Sequence, residues 1–136
     1  LTARAENFLH GIVDLPDTIR RLVAFADAGA DVLYAPGLRS RAHTTEGVHA
    51  VAPKPVNVLM GLAGPSFSLA ELEGWGVRRV SVGSSLARAA YGAFLSAARE
   101  IRKDGTFAFA RDAIPFAEIN AMFRPTAKPS PEAPAE

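Results

Sequence analysis

The chain has 136 residues, and 15 Lys+Arg against 14 Asp+Glu give a formal net charge of +1. Such a length is a prior of about one domain and is too short for a complete (β/α)8 barrel of roughly 250 residues. The near-neutral balance leaves no single-sign field to hold nucleic acid or an anionic membrane, so neither is an expected partner. Hydrophobic residues at 49% and no Cys describe a core-forming chain without a disulfide framework, thiolate metal site or cysteine nucleophile. No apolar run approaches the ~20 residues needed to span a bilayer, and a reducing, cytoplasmic setting is expected. The chain starts on Leu1 rather than Met, so Leu1 is not expected to be the natural start.

In chain order, short β-rich runs alternate with helical periods, the signature of βα units around a parallel sheet. The first unit opens with Leu1-Thr2-Ala3 and a loop from Arg4 to Val13. Its helix carries Ile19, Leu22, Val23 and Ala26 on one face, with Asp14 as N-cap and Gly29 as terminator. The second unit is strand 31–35, broken by Pro36-Gly37, then a helix from about Thr45 to Ala52 closed by Pro53. The third is strand 55–60, a Gly/Pro loop over 61–65, and a short helix introduced by the capping box Ser68-Leu69-Ala70-Glu71 and ending at Gly76. The fourth is strand 77–82, the turn Gly83-Ser84-Ser85, and a long helix over 86–103 with Leu86, Ala90, Ala93, Phe94, Ala97 and Ile101 on one stripe. A last helical segment over 106–123, broken at Pro115, holds Phe107, Phe109, Ile114, Phe116, Ile119, Met122 and Phe123, too apolar to be left in water. Trp75 and Tyr91 are expected to bury their rings between helices and sheet. Residues 124–136, with four prolines and no large apolar residue, read as a disordered tail, leaving 1–123 as the folded domain.

In a parallel α/β protein the functional face lies where strands end. Arg4 and Glu6 lie two apart, so on extended chain both side chains point the same way. An arginine there suits a carboxylate or phosphonate held by two parallel N–H···O bonds, the alternative being a rim salt bridge to Glu6. Gly83-Ser84-Ser85 offers backbone amides and hydroxyls at a helix start, an anion-binding geometry or ordinary capping. Asn57, amid an apolar strand, needs a hydrogen-bond partner in a polar interior or on a ligand. Of Arg78 and Arg79, which face opposite ways, at least one should meet the polar side of the sheet or a carboxylate. His10, His43 and His49 are scattered without metal-ligand spacing, and no metal ligands are assigned.

Four phrases occur in order: Leu1-Thr2-Ala3-Arg4-Ala5-Glu6-Asn7-Phe8, the run Ala28-Gly29-Ala30-Asp31-Val32-Leu33-Tyr34-Ala35-Pro36-Gly37, Lys54-Pro55-Val56-Asn57-Val58-Leu59, and Leu72 through Gly76-Val77-Arg78-Arg79-Val80-Ser81-Val82-Gly83. Together they resemble the isocitrate lyase/phosphoenolpyruvate mutase superfamily, in particular its phosphonomutase-like members. The resemblance implies the C-terminal half, four βα units, of a (β/α)8 TIM-type barrel, followed by a C-terminal helical segment that exchanges with a neighbouring subunit in a homo-oligomer. It implies a Mg2+-dependent lyase or mutase acting on C–C or P–C bonds of small 2-oxo acids through enolate-like intermediates. Arg4 is then the family arginine contacting a substrate carboxylate or phosphonate, and Glu6 orients Arg4 or a water. The lyases' Glu at the end of strand six has no counterpart in Tyr34-Ala35-Pro36-Gly37, which argues against isocitrate or methylisocitrate lyase activity. Their Asn of strand seven is displaced here, as Asn57. The family's magnesium-holding aspartates and Lys-Lys-Cys-Gly loop belong to the other half of the barrel. The expectation is therefore a substrate-anchoring half-site, inactive alone, with a non-catalytic half-barrel that self-associates or pairs with a separate N-terminal half as the alternative and a phosphate-binding module at 83–85 as a third.

Overall fold

The structure, a computed structural model, describes residues 1–61 and 65–124; the expected tail beyond Arg124 and the centre of the 61–65 loop lie outside the described residues. The chain divides into two compact units, Leu1–Ala90 and Tyr91–Glu136.

The first unit holds a parallel sheet of β1 (Thr2–Arg4), β2 (Val32–Tyr34), β3 (Val56–Leu59) and β4 (Arg79–Ser81), in the order β1-β2-β3-β4. The order never reverses, so the sheet has no switch point of the doubly wound kind. Between the strands run α1 (Leu15–Asp27), α2 (Arg41–Val51) and α3 (Leu69–Gly74). Sequential parallel strands with all helices on one face form the winding of half an eight-unit barrel, as expected.

Local chemistry starts each helix where the sequence places a cap. The Asp14 carboxylate accepts from the Asp17 amide at 2.8 Å, Pro16 occupies the first turn, and Gly29 with φ +96° leaves the helix. In α3 the capping box is complete: Ser68 Oγ accepts from the Glu71 amide at 3.2 Å, and Glu71 Oε2 accepts from the Ser68 amide at 2.7 Å. Helix α2 begins earlier than its apolar residues suggest, at Arg41, because Ser40 caps it through the His43 amide at 3.2 Å. Its first buried positions, Thr44 and Gly47, are small, and Val51 is the large apolar residue it buries.

Two apolar clusters lie between sheet and helices. Leu22 of α1 and Val51 of α2 meet Leu33 and Val56, and Leu72 of α3 meets Val58 and Val77. Leu22, Leu33 and Leu72 are almost wholly buried; loss of such a side chain to Ala costs about 2–5 kcal/mol. Trp75 packs edge-on against Phe67, with ring centroids 4.7 Å apart.

Helix α4 (Ser85–Asp104) has no buried residue. The expected stripe is real as a periodicity, yet Leu86 is 73% and Phe94 68% exposed, and Tyr91, expected to be buried, is 68% exposed. In the second unit, Glu100 accepts from the Thr106 hydroxyl and from the amides of Ala108 and Phe109, which ties the turn Ala108–Arg111 to α4 and holds the Glu100 carboxyl below its usual range. Pro115 starts α5 (Phe116–Met122). The Phe107, Phe116 and Phe123 side chains stand open, against the expectation of burial. Periodicity locates an apolar face but not what covers it.

Candidate functional site

Alternation along the strands sorts side chains onto two faces. Ala3, Leu33, Val56, Val58 and Val80 belong to the clusters beneath the helices. Their neighbours face the other way, and the register aligns them: Arg4 with Tyr34, Tyr34 with Asn57, Asn57 with Arg79. One row thus crosses all four strands on the face that is the interior in a closed barrel.

Arg4 ends β1. Its Nε donates to Glu6 Oε1 at 2.5 Å, and its guanidinium carbon stands 4.9 Å from the Tyr34 ring centroid. The pair is 52% and 38% exposed, so solvent screening leaves it little worth for stability. Its effect is orientation: Nε is committed to Glu6 and the plane rests on an aromatic face, leaving the terminal amino groups for another anion.

Behind Glu6 the chain makes a 3-10 turn, Asn7–His10, anchored by Asn7. Its Nδ2 donates to Thr18 Oγ1 at 2.5 Å and to the Asp14 carbonyl at 3.3 Å, while its buried Oδ1 has no partner. Gly37, with φ +100°, lets the segment after β2 press on this turn, since a Cβ there would come within 2.7 Å of Phe8 Cβ.

Tyr34 is 6% exposed, and burial pushes its phenol above the ordinary 10.0, against the opposing pull of the Arg4 charge and the Ser81 hydroxyl. Asn57, 2% exposed, spends both ends of its amide on β4: Oδ1 accepts from Arg79 Nη1 at 3.3 Å and Nδ2 donates to Ser81 Oγ at 3.0 Å. A guanidinium only donates, which fixes the amide's orientation. Arg79 is therefore the member of the Arg78-Arg79 pair that turns to the polar row.

At the start of α4, Ser85 Oγ lies 2.6 Å from both the Gly61 and Val82 carbonyls. Its one proton serves carbonyl oxygens and joins the loop after β3 to the turn after β4. Gly83 takes φ +53°, and the Ser84 carbonyl accepts from the Arg88 amide at 2.8 Å. A cavity of about 40 Å3 opens at the strand ends among Leu9, Leu38, Leu59, Met60 and Phe67. Among the described residues no three His, Asp or Glu side chains converge, and Glu6, the carboxylate beside the row, is engaged by Arg4. These residues do not fit a Mg2+ site.

The structure brings Arg4 and Glu6 together and joins Asn57 to Arg79, while Gly83-Ser84-Ser85 forms a separate turn. Arg79 meets the polar side of the sheet, as expected for one of the Arg78-Arg79 pair, whereas Tyr34 and Ser81 had no assigned role in the sequence; strand alternation combined with register is the signal that finds them.

A sequentially ordered parallel βα sheet, its polar row starting from the ends of β1 and β2, has the architecture of the eight-unit-barrel enzymes. The family model described as phosphoenolpyruvate phosphomutase matches residues 1–102, and the chain belongs to that family. Among solved structures it is similar to a candidate lyase/mutase from Burkholderia cenocepacia J2315, at 58% identity and TM-score 0.85, covering 95% of this chain and 45% of that one. It is similar to 2,3-dimethylmalate lyase, a member of the phosphoenolpyruvate mutase/isocitrate lyase superfamily, at 25% identity and TM-score 0.74, covering 90% and 42%. Oxaloacetate acetylhydrolase in complex with the inhibitor 3,3-difluorooxalacetate matches at 26% identity and TM-score 0.71, covering 88% and 40%. The chain thus spans less than half the length of these structures. Comparison with curated protein sequences gave no match. The superfamily consists of lyases and mutases acting on small oxo acids and phosphonates. Among the described residues no helix is long and apolar enough to cross a membrane.

Proposed function

We propose that this chain is the substrate-anchoring half of a lyase or phosphonomutase that makes or breaks a C–C or P–C bond in a small 2-oxo acid through an enolate-like intermediate. The observation that carries the reading is Arg4, held at the end of β1 by Glu6 and Tyr34 with its terminal amino groups unspent. Arg4 grips a carboxylate or phosphonate by two parallel bonds, Glu6 fixes the approach, and Asn57 shapes the floor beneath the ligand. In the turn after β4, Ser84 is the hydroxyl on offer to an anion at Gly83-Ser84-Ser85, since Ser85 serves carbonyls.

Magnesium, in this reading, is held by residues other than those described, and the chain alone turns over nothing. The protein works in the cytoplasm and associates with further copies through the C-terminal helical segment, whose Phe107, Phe116 and Phe123 are 65–81% exposed. That apolar surface also supports the second reading, a non-catalytic half-barrel that self-associates.

The test is Arg4→Ala and Arg4→Lys in the protein at its natural length, assayed on 2-oxo acid and phosphonate substrates. Loss of about 10²–10³-fold in kcat/KM for Arg4→Ala, partly restored by Arg4→Lys, is expected for a group that meets developing charge. Unchanged kcat/KM removes Arg4 from the site.

A further inference from the structure

The cavity at the strand ends lies beside the proposed anchor, and its chemistry is the opposite of the anchor's. Leu9, Leu38, Leu59, Met60 and Phe67 line it, and Arg39, the charged member of the wall, already has an interaction partner. Short contacts tie these walls to Arg4. The Leu9 amide donates to the Glu6 carbonyl at 2.9 Å, and the Glu6 carboxylate accepts from Arg4 Nε at 2.5 Å. Gly37 brings the loop after β2 onto the same turn, since a Cβ there would come within 3.7 Å of Leu9 Cδ2.

Strand register places Leu59 in the same layer as Arg4. Strands of an eight-unit barrel tilt by about 36°, and alternate strands supply the inward side chains of one layer. With strands about 4.8 Å apart and a rise of about 3.3 Å per residue, this tilt advances a level layer by about one residue per strand. From Arg4, paired through Tyr34 to Asn57, two strands and two residues lead to Leu59. The same step leads from Tyr34 to Ser81, whose hydroxyl is one of the groups pulling on the Tyr34 phenol. Leu59 belongs to neither apolar cluster beneath the helices, and a Cβ on Gly83 would lie 3.7 Å from its Cδ1. The inward side chain level with Arg4 on β3 is thus aliphatic, and the polar Asn57 lies deeper.

We propose that this cavity is an alkyl subsite: Arg4 holds the carboxylate of a 2-oxo acid, and the ligand's chain from carbon 3 onward enters the cavity past Leu59. At about 40 Å3 it has room for about two or three heavy atoms. Each methylene buried against Leu9, Leu59 and Met60 raises affinity about fourfold, whereas a hydroxyl or second carboxylate placed there gives up its hydration. The site then selects 2-oxo acids with a short aliphatic tail over those with a polar one. The inference rests on the proposed role of Arg4 and adds the class of substituent that the ligand carries.

The experiment is calorimetric titration of the natural-length protein with pyruvate, 2-oxobutanoate, 2-oxopentanoate and 2-oxohexanoate, and with 3-hydroxypyruvate, in which a hydroxyl replaces the end methyl of 2-oxobutanoate. Native protein is compared with Leu59→Ala, Leu9→Ala and Arg4→Met. Leu9 is 51% exposed, so its variant keeps the test open if Leu59→Ala lowers the denaturation midpoint. Affinity is expected to rise about fourfold per methylene until the cavity is full and then to fall, with 3-hydroxypyruvate no tighter than pyruvate. Leu59→Ala and Leu9→Ala enlarge the cavity and move the best chain length up by about one methylene, a shift that mere destabilisation does not produce, and Arg4→Met abolishes binding of the whole series. Equal affinity at every chain length, or an unchanged best length in both cavity variants, overturns the subsite while Arg4→Met still abolishes binding and the role of Arg4 survives. If native protein binds none of the acids, or Arg4→Met changes nothing, the anchoring role of Arg4 falls, and the subsite with it.

Discussion

Asn7 offers a sharp test of how the loop behind Arg4 and Glu6 is held. It is 6% exposed, with effective bonds from Nδ2 to Thr18 Oγ1 at 2.5 Å and the Asp14 carbonyl at 3.3 Å; a third, to the Ile12 carbonyl, is at the 3.5 Å limit. Asn7→Ala removes two bonds worth about 1 kcal/mol each. The Asp14 carbonyl is not orphaned, because Thr18 still donates to it through its amide at 3.0 Å and its hydroxyl at 2.7 Å. The unpaired Oδ1 disappears as well, so the net loss is about 1–2 kcal/mol. Asn7→Asp is worse despite its size. It loses the donor and brings a carboxyl among carbonyl and hydroxyl oxygens that already accept, an uncompensated buried charge costing about 3–5 kcal/mol at neutral pH. Burial and missing donors raise the folded-state pKa of that Asp above its unfolded value of about 3.9. A raised pKa means that the protonated form suits the fold: the variant is close to Asn7→Ala below about pH 4 and loses stability as pH rises toward 7. The assay is urea denaturation of the two variants at pH 4 and pH 7. Equal stability at both pH values would place this side chain in water and refute the argument.

Two further outcomes follow from positions on the same face. Gly37→Ala introduces a Cβ 2.7 Å from Phe8 Cβ at φ +100° and should destabilise by about 1–3 kcal/mol, with hydrogen exchange rising in the turn Asn7–His10; unchanged exchange there would mean that the two loops are independent. Tyr34 should ionise above 10.0, and because its folded pKa is raised, its contribution is intact below the unfolded value and fades as pH climbs through the folded one. Phenolate absorbance in a Tyr91→Phe background reads the titration, which an ordinary value would contradict.

What the sequence revealed tracks the range of the interactions. The capping box at Ser68 and the cap at Asp14 were legible because donor and acceptor lie three residues apart. Arg4 and Glu6 were legible for the same reason, at a separation of two. The start of α2 was missed because its first buried positions are Thr44 and Gly47 rather than large apolar residues, so no apolar period marks the turn that Ser40 caps. The row from Arg4 to Arg79 was invisible as a row, since Tyr34, Asn57 and Arg79 meet only through strand register. Tyr91 and the stripe on α4 show the converse: 3.6-residue periodicity is local and names a face, whereas burial is decided by what lies opposite.

The two-faced sheet separates inheritance of the fold from inheritance of its chemistry. Leu33, Val56, Val58 and Val80 hold the helices, while Tyr34, Asn57, Arg79 and Ser81, one residue away on the same strands, do not. Substitution on one parity costs core packing; on the other it changes the polar face, at small cost to the scaffold where the side chain is exposed, as at Arg79, and at the cost of buried hydrogen bonds at Asn57. A lineage carrying this sheet can therefore change its chemistry by single codon changes at alternate positions while the packing that holds the helices stays untouched.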